Sequence, residues 1–280
     1  MSDEYDRDHV LAFYSRHPIS AGHILARLES ERGGLAALGP DTLFAHDQDH
    51  YGGLEANDAI AVRARLQPGM HVADFCAGLG GPARYMAAKY GVTVIGVELN
   101  PDRVAGAVRL NQLVGMSDKV NMLQCDVTKV DLPDASVDAV ISQEALLHVP
   151  DKAKALREAY RILRPSGRMV FSDWVVHRPL DPADVEMMWE GIAAQDLQSI
   201  PGYAQRLTEA RFTVEPPEDL SKEWAVILAE RFEMYQALRE ETAKAGAPSG
   251  DDNFYEAYGR LVELVQNGDL GGARFTAQKR

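Results

Sequence analysis

Cysteine is scarce in this sequence, and the shortage limits how the chain can be stabilised. Only 2 of the 280 residues are cysteines, and Cys76 and Cys125 both lie in apolar stretches that we expect to be buried. A disulfide framework is therefore not expected, and the composition favours a reducing, cytoplasmic compartment. The first residues are acidic, and no run of about 18 apolar residues occurs, so we expect neither a signal peptide nor a membrane-spanning segment.

A block of basic residues is also missing. The formal net charge is −13, and no cluster of lysine and arginine stands out. A nucleic acid substrate requires phosphate neutralisation, and an anionic membrane attracts clustered basic residues, so we expect no nucleic acid and no membrane partner. The balance permits a cationic or neutral small-molecule substrate, although an acidic surface is more often only a solvated one.

What is present is an ordinary globular composition with a clear rhythm in its middle. Hydrophobic residues make up 46% and charged residues 25% of the chain. Short apolar runs alternate with amphipathic segments from residue 70 to residue 173, which predicts a parallel sheet with right-handed crossovers. The expected strands are residues 70–75, 93–98, 120–124, 138–142 and 168–173, and the expected helices between them are 81–90, 101–114 and 152–163.

The flanking regions follow a different rhythm. We expect helix over residues 7–38, a polar, histidine-rich loop over 44–53, and a short helix at 56–65. Beyond Asp173 we expect further helices, two more strands at 212–215 and 271–277, and a linker-like stretch at 246–251.

The predicted architecture is therefore an α/β fold. It has a Rossmann-like, seven-stranded, mostly parallel sheet with helices on both faces. Residues 1–55 form an N-terminal helical lid and substrate loop, and residues 56–280 form the core. Helical insertions at about 181–211 and 221–266 precede the last strand.

The first strand of this pattern leads into a turn of small residues. Asp74 ends the apolar run, and Ala77, Gly78, Gly80 and Gly81 follow before the helix opens. Small residues let the backbone approach a ligand closely, as in the first βα turn of nucleotide-binding folds. Glu98 ends the next apolar run, about 20 residues further on, where a carboxylate can hold two ribose hydroxyls.

With Asp126 and the turn at residues 164–167 added, the ordered motifs resemble the class I S-adenosylmethionine-dependent methyltransferases. The resemblance covers residues 56–173 well and the termini more weakly. The family usually has glycine where this chain has Cys76, so the turn must accept a residue with a Cβ.

Other segments resemble the small-molecule branch of that family. Residues 52–56, the long helical insertion and the ending at 268–275 are similar to the sarcosine/dimethylglycine and phosphoethanolamine N-methyltransferases. The resemblance implies S-adenosylmethionine as cofactor and a small-molecule methyl acceptor, most readily an amine nitrogen. Methylation of oxygen or carbon remains the alternative within the branch.

The resemblance also implies roles for individual cofactor-binding residues. Asp74 acts on the methionine part through turn amides or water, and Glu98 binds the ribose. Leu99 covers one face of the adenine, and Asp126 with Val127 reads its amino group. The remaining implied cofactor residues are Tyr14 as a lid over the sulfonium, Gln143 at the methionine end, and the turn residues Cys76, Ala77, Gly78 and Gly80. Asp74 could instead be a helix or turn cap, Asp126 a turn residue and Tyr14 a core aromatic.

Candidates for the acceptor side come from the polar loop and the segment after the fourth strand. His148 and His50 are the candidate bases, and each could instead be a helix cap or a surface residue. Glu144 could bind a cationic amine or orient a histidine. The other substrate-side candidates are Gln48, Tyr51 and Trp174.

Two further expectations concern metal and surface. His46, Asp47, Asp49 and His50 lie within one loop, but their spacing does not match a closed zinc site, so we expect no metal. Arg84, one turn into the first helix of the core, is expected only on a solvated face. The apolar helices after Asp181 would suit a homodimer as well as a lid.

Two other classes of function compete with the methyltransferase hypothesis. A nucleotide-dependent oxidoreductase would use the same turn and Glu98, but Asp74 would then meet a pyrophosphate, whereas a sulfonium and an ammonium tolerate it. A non-catalytic cofactor-binding protein could also keep this fold. The intact acidic residues argue against that hypothesis, and Cys76 argues weakly for it.

Overall fold

A computed structural model describes residues 3–15, 19–194, 196–244 and 252–280. The linker-like stretch predicted at 246–251 lies outside these residues. The helices are α1 (Asp3–Ser15), α2 (Ala21–Arg32), α3 (Gly53–Ala64), α4 (Gly81–Tyr90), α5 (Pro101–Leu113), α6 (Lys152–Ile162), α7 (Pro182–Ile192), α8 (Ile200–Glu209), α9 (Ser221–Lys244) and α10 (Asp252–Gln266). The strands are β1 (His71–Phe75), β2 (Thr93–Glu98), β3 (Val120–Gln124), β4 (Val137–Gln143), β5 (Leu163–Val176), β6 (Phe212–Val214), β7 (Glu218–Asp219) and β8 (Leu270–Lys279).

The strands form one sheet in the order β3-β2-β1-β4-β5-β8-β6, with β7 paired to β8. The first five strands are parallel, and β8 runs antiparallel to β5, β6 and β7. The predicted mixed α/β fold is confirmed. The sheet of the described residues has eight strands rather than seven, because Glu218 and Asp219 pair with the edge of β8 in a run too short to leave a pattern in the sequence.

Side chains alternate between two apolar layers, one on each face of the sheet. Val72 and Ile141 pack with α2, α3 and α4, whereas Phe75 and Val140 pack with α6 and α8. This alternation is the two-residue period of a strand that is buried on both faces. A third apolar cluster joins Trp174 at the end of β5 to helices α7, α9 and α10.

The N-terminal region, expected to be helical over 7–38, contains the helices α1 and α2 among the described residues. The Ser20 side chain accepts a hydrogen bond from the His23 amide and begins α2. Gly33 ends α2 with φ of 74°, a left-handed conformation that glycine adopts without strain. No helix among the described residues combines the length and apolarity needed to cross a membrane.

Candidate functional site

A cavity of about 820 Å³ lies at the carboxyl ends of β1, β2 and β4. Strand order reverses beside β1, which is where open parallel sheets bind their ligands. Most of the residues singled out from the sequence line this cavity. They are Tyr14, His50, Tyr51, Asp74, Cys76, Ala77, Gly78, Glu98, Leu99, Asp126, Val127, Gln143, Glu144, His148 and Trp174. Gln48 and Gly80 do not belong to its wall.

The turn after β1 keeps its compact shape even with cysteine in it. Cys76 has φ of 57°, and Gly78 and Gly80 also have positive φ. The Ala77 amide donates to Val97 O, and the Gly80 amide donates to Ala77 O at 2.8 Å. Cys76 therefore adopts a left-handed conformation that costs a residue with a Cβ roughly 1–2 kcal/mol.

Glu98 is a buried carboxylate that organises two backbone segments. Its Oε2 accepts from the Gly78 amide and its Oε1 from the Asn100 amide, each at 2.8 Å. Burial raises the pKa of Glu98, while these hydrogen bonds and the Arg103 charge oppose that rise. The carboxylate that sequence reasoning placed at the end of β2 therefore holds the glycine turn in position.

Asp74 and Gln143 end neighbouring strands and each carry an oxygen without a hydrogen-bond partner. Asp74 Oδ2 and Gln143 Oε1 are buried and unpartnered, and both residues line the cavity. Burial is the main cause that raises the pKa of Asp74 to about 8, and repulsion from Glu98 adds to the rise. A buried unsatisfied acceptor is costly, so this arrangement favours a ligand that brings hydrogen-bond donors or positive charge.

Asp126 follows β3 and forms a local turn. Its Oδ1 accepts from the Thr128 amide at 2.8 Å, which is the turn role considered as the plainer alternative. The residue also lines the cavity beside Val127, and Leu99 lines it after Glu98. One carboxylate can serve both purposes, because each of its oxygens accepts more than one hydrogen bond.

Tyr14 and His148 meet across the cavity although they are far apart in sequence. The Tyr14 hydroxyl lies 2.8 Å from His148 Nε2, and His148 Nδ1 lies 3.0 Å from Ala193 O. Since a carbonyl only accepts, Nδ1 carries the proton and Nε2 accepts from Tyr14. Burial raises the pKa of Tyr14 further above neutrality, so its hydroxyl remains a donor.

His50 occupies a more constrained position than His148. Its Nδ1 lies 3.2 Å from Tyr51 O and its Nε2 lies 3.1 Å from Gln48 Oε1. Burial lowers the pKa of His50 to about 4. His50 is thus neutral and a weak proton acceptor near neutral pH.

Gln48 belongs to a part-buried hydrogen-bond network that reaches the cavity-lining residue Gln143. Asn57 Nδ2 donates to Gln48 Oε1 at 2.6 Å, and Gln143 Nε2 donates to Asn57 Oδ1 at 2.8 Å. Gln48 Nε2 donates in turn to Asp47 Oδ1. These bonds connect the polar loop with the end of β4, so Gln48 supports the wall rather than forming it.

The expectation that Arg84 lies on a solvated face is wrong. Arg84 is fully buried, and its Nε and Nη2 donate to Asp47 Oδ2 at 3.1 and 2.9 Å. Nη1 donates to Asn111 and Nη2 also to Leu79 O. The ion pair fixes the polar loop to α4, and the sequence separation of 37 positions between the partners hid it from sequence reasoning.

A second part of the cavity is aromatic and contains one acid and one arginine. Glu144 has φ of 52°, and its Oε2 accepts from the Tyr51 amide at 2.8 Å. Burial raises the pKa of Glu144 to about 8. The Tyr51 ring packs on Trp174 and Trp224, and the Arg231 guanidinium lies 4.6 Å from its centroid.

Sequence reasoning missed the contribution of the helical insertions to this wall. Arg231, Tyr235, Tyr258 and Leu261 from α9 and α10 line the cavity, as does Arg103 from α5. Nothing in the local patterns of α9 and α10 distinguishes a residue facing the cavity from one facing its neighbouring helix. Within the described ranges, no group of three or more histidine, cysteine and acidic residues is arranged to hold a metal ion.

Comparison with known proteins identifies similar sequences and structures. A family model described as a methyltransferase domain matches residues 73–171. Phosphoethanolamine N-methyltransferase 1 from Arabidopsis thaliana is 30% identical over 81% of this chain, which spans only 46% of that relative. A 27-O-demethylrifamycin SV methyltransferase from Amycolatopsis mediterranei is also 30% identical, over 79% of this chain and 82% of the relative.

Solved structures show the same fold. The phosphoethanolamine N-methyltransferase 2 of Haemonchus contortus, in complex with phosphomonomethylethanolamine and S-adenosylhomocysteine, superposes with a TM-score of 0.75 at 22% identity. The match covers 93% of this chain and 60% of that one. At this identity the likeness supports the fold alone.

Proposed function

The chain belongs to the S-adenosylmethionine-dependent methyltransferases of the small-molecule branch, and we propose that it methylates the nitrogen of a small amine. The relatives named above include one N-methyltransferase and one enzyme whose name specifies an oxygen. Oxygen as the acceptor atom is therefore the second candidate.

One observation carries the cofactor part of the proposal: Asp74 and Gln143 each have a buried oxygen without a hydrogen-bond partner. The cofactor is a cation at its sulfonium and at its amino group, so it supplies the charge and the donors that these oxygens lack. The residues present thus fit S-adenosylmethionine. A pyrophosphate would bring negative charge to a buried carboxyl, which argues against the oxidoreductase alternative.

The other cofactor contacts follow from the same edge of the sheet. Glu98 is already oriented by the Gly78 and Asn100 amides, so its remaining lone pairs can accept from ribose hydroxyls at little ordering cost. Asp126, Val127 and Leu99 line the cavity. We assign Asp126 and Val127 to the edge of the adenine and Leu99 to one of its faces. The turn from Cys76 to Gly78 lets the backbone approach closely.

Bound S-adenosylmethionine supplies an electrophilic methyl carbon, so the protein mainly has to align the nucleophile and exclude water. An amine that arrives as an ammonium must first lose a proton. His148 is placed to receive it through Tyr14. The Tyr14 oxygen takes a proton from the ammonium group of the methyl acceptor. At the same time the Tyr14 hydroxyl proton passes to His148 Nε2, which leaves a neutral amine and an imidazolium.

His148 is the better candidate base of the two histidines. Its Nδ1 proton is held by Ala193 O, so the Nε2 lone pair faces the Tyr14 hydroxyl. His50 has a pKa lowered to about 4, and both of its nitrogens lie near oxygens of the polar loop. We therefore assign His50 a role in holding the loop.

The charged residues in the aromatic part of the cavity support a methyl acceptor that has an acidic group beside its amine. Glu144 and Arg231 approach Tyr51 from different elements, one through its backbone amide and the other over its ring. An ammonium near Glu144 and an acid near Arg231 would match this pair. The substrate named for the Arabidopsis relative, phosphoethanolamine, has this pattern of charges.

Calorimetric titration with S-adenosylhomocysteine and, separately, with NAD tests the cofactor assignment. We expect saturable binding of S-adenosylhomocysteine and none of NAD. Absence of heat with S-adenosylhomocysteine would remove the proposal, and binding of NAD alone would establish the oxidoreductase alternative.

A further inference from the structure

Arg103 contacts several segments of the site, and the proposed function gives it no role. It is the third residue of α5, and only 8% of its side chain is exposed. The other residues around its guanidinium come from α1, from the segment before α2, from the polar loop and from the turn after β1.

Its contacts differ in strength. Arg103 Cζ lies 4.3 Å from the centroid of the Tyr14 ring, well within the range of a cation–π contact. By contrast, Nη1 lies 3.5 Å from Asp49 Oδ2 and Nη2 lies 3.5 Å from Ile19 O, at the outer limit for a hydrogen bond. The face of the Tyr14 ring is therefore the best-formed partner of the guanidinium.

The same guanidinium lies against the turn after β1. A Cβ placed on Gly78 would come within 3.2 Å of Arg103 Nη1. The Arg103 charge also opposes the rise in the pKa of Glu98 that burial causes. Arg103 consequently contacts Tyr14 on one side and, on the other, the turn that Glu98 orients.

We propose that Arg103 is a positioning residue that holds the Tyr14 ring so that its hydroxyl faces His148 Nε2. Tyr14 can rotate about its side-chain bonds, and a planar cation packed on one face of the ring restricts that rotation. Arg103 acts on the proton path through Tyr14. The tests of this inference that measure turnover rest on the proposed function, whereas the hydrogen-exchange test does not.

The first test is Arg103→Lys, which keeps the positive charge but loses the planar face. We expect kcat for the amine acceptor to fall about tenfold, in keeping with a cation–π contact worth about 1–2 kcal/mol, while Kd for S-adenosylhomocysteine changes less than about threefold. Arg109→Lys is the matched control, because Arg109 is exposed on the same helix. An equal loss of kcat and of cofactor affinity would overturn the proposal in favour of a general structural role.

A double-mutant cycle tests whether Arg103 acts through the ring. In a Tyr14→Leu background we expect Arg103→Lys to reduce kcat by less than about twofold, because the ring that it positions is gone. In a Tyr14→Phe background, where the ring remains, the cycle measures how much of the effect passes through the hydroxyl. A full tenfold loss in the Tyr14→Leu background would show that Arg103 acts elsewhere.

Hydrogen exchange provides a readout that does not depend on turnover. We expect amides of α1 to exchange faster in Arg103→Lys than in Arg109→Lys, both in the absence of any ligand. This result would support the positioning role even if no acceptor were methylated, which would count only against the proposed function. Unchanged exchange in α1, with a normal kcat, would contradict the inference itself.

Discussion

Two carboxyl groups at the ends of neighbouring strands differ in how well they are satisfied. Glu98 has both oxygens bonded to backbone amides, whereas Asp74 has an oxygen without a partner. If the cofactor binds as proposed, Glu98 meets it with its orientation already fixed, and a donor on the cofactor satisfies Asp74. Their spacing in sequence predicted both positions, because a carboxylate that ends an apolar strand has little structural reason to be there.

Replacing Glu98 by glutamine is expected to weaken S-adenosylhomocysteine binding about tenfold, because a charge-assisted hydrogen bond contributes about 1.5–3 kcal/mol. Glutamine keeps an acceptor for one of the two amides that Glu98 orients, so the turn should persist. Titration calorimetry measures the effect, with exposed Asp102→Asn in the following helix as control. A dissociation constant equal to that of the control would exclude Glu98 from the cofactor site.

Removal of the Tyr14 hydroxyl tests the proposed proton path. We expect Tyr14→Phe to lower kcat about 10²-fold, the usual contribution of a positioned acid–base group, without weakening S-adenosylhomocysteine binding by more than about threefold. The phenylalanine ring retains the Arg103 contact. Steady-state kinetics and calorimetry separate the two effects, and a parallel loss of both would make Tyr14 a packing residue.

Cys76 is the residue at which the sequence left the outcome most open. Its φ of 57° shows that the turn is kept at the expense of some backbone strain. The requirement for a suitable backbone angle could be foreseen from the family resemblance. The angle itself depends on the hydrogen bonds that Ala77 and Gly80 make, which no residue pattern encodes.

Among the elements, the polar loop depends most on contacts that are distant in sequence. Asp47 reaches Arg84 in α4, Gln48 reaches Asn57 in α3, and the Tyr51 amide reaches Glu144 after β4. The sequence predicted a loop here, because its composition suits neither helix nor core strand. The buried ion pair could not be predicted, since an arginine one helical turn into α4 is ordinarily exposed.

Gly81→Ala tests how closely this loop approaches α4. A Cβ at Gly81 would lie 1.9 Å from Asp47 O, so something must shift. We expect a loss of about 2 kcal/mol in the free energy of unfolding, typical of overpacking, measured by urea denaturation. Gly34→Ala is the control, because no atom lies within 4 Å of its added Cβ. Equal stabilities of the two variants would contradict the close approach.

The insertion helices show the limit of periodic patterns at this scale. Their helical nature and position before the last strand were predicted, and α7 to α10 are indeed present. Which of their residues face the cavity depends on how α9 and α10 cross β8 and Trp174. That packing is tertiary, so Arg231 and Tyr258 were not singled out.

For the whole molecule, buried carboxyl groups make stability depend on pH. The pKa of Asp74 rises from 3.8 to about 8 and that of Glu144 from 4.5 to about 8. Between the ordinary pKa and the raised pKa of each group, the folded protein holds a proton that the unfolded chain has released. The free energy of unfolding therefore falls as pH rises through this interval and levels off above about 8. The lowered pKa of His50 destabilises the fold only below pH 6.5.

We therefore expect the Tm of the ligand-free protein to fall from about pH 6.5 to about pH 8 and to change little above pH 8. S-adenosylmethionine should raise Tm more at the upper end of this range, because its positive charge is best matched when Asp74 is ionised. Asp74→Asn should flatten both trends, as measured by calorimetry at several pH values. A Tm that rises with pH in the parent protein would contradict the buried state of these carboxyls.

A homodimer and a cytoplasmic location both stay predictions. Size-exclusion chromatography with light scattering tests the first directly, and the expected mass is that of two 30.8 kDa chains. The second rests only on the scarcity of cysteine.

The most direct test of the whole account is methyl transfer itself. The protein is incubated with S-adenosylmethionine that carries a deuterated methyl group and with pairs of small acceptors, amines and matched alcohols, each with and without an acidic group. Mass spectrometry should find one labelled methyl group on an amine nitrogen, with S-adenosylhomocysteine formed in equal amount. Tight S-adenosylhomocysteine binding without a labelled product from any acceptor would contradict the account.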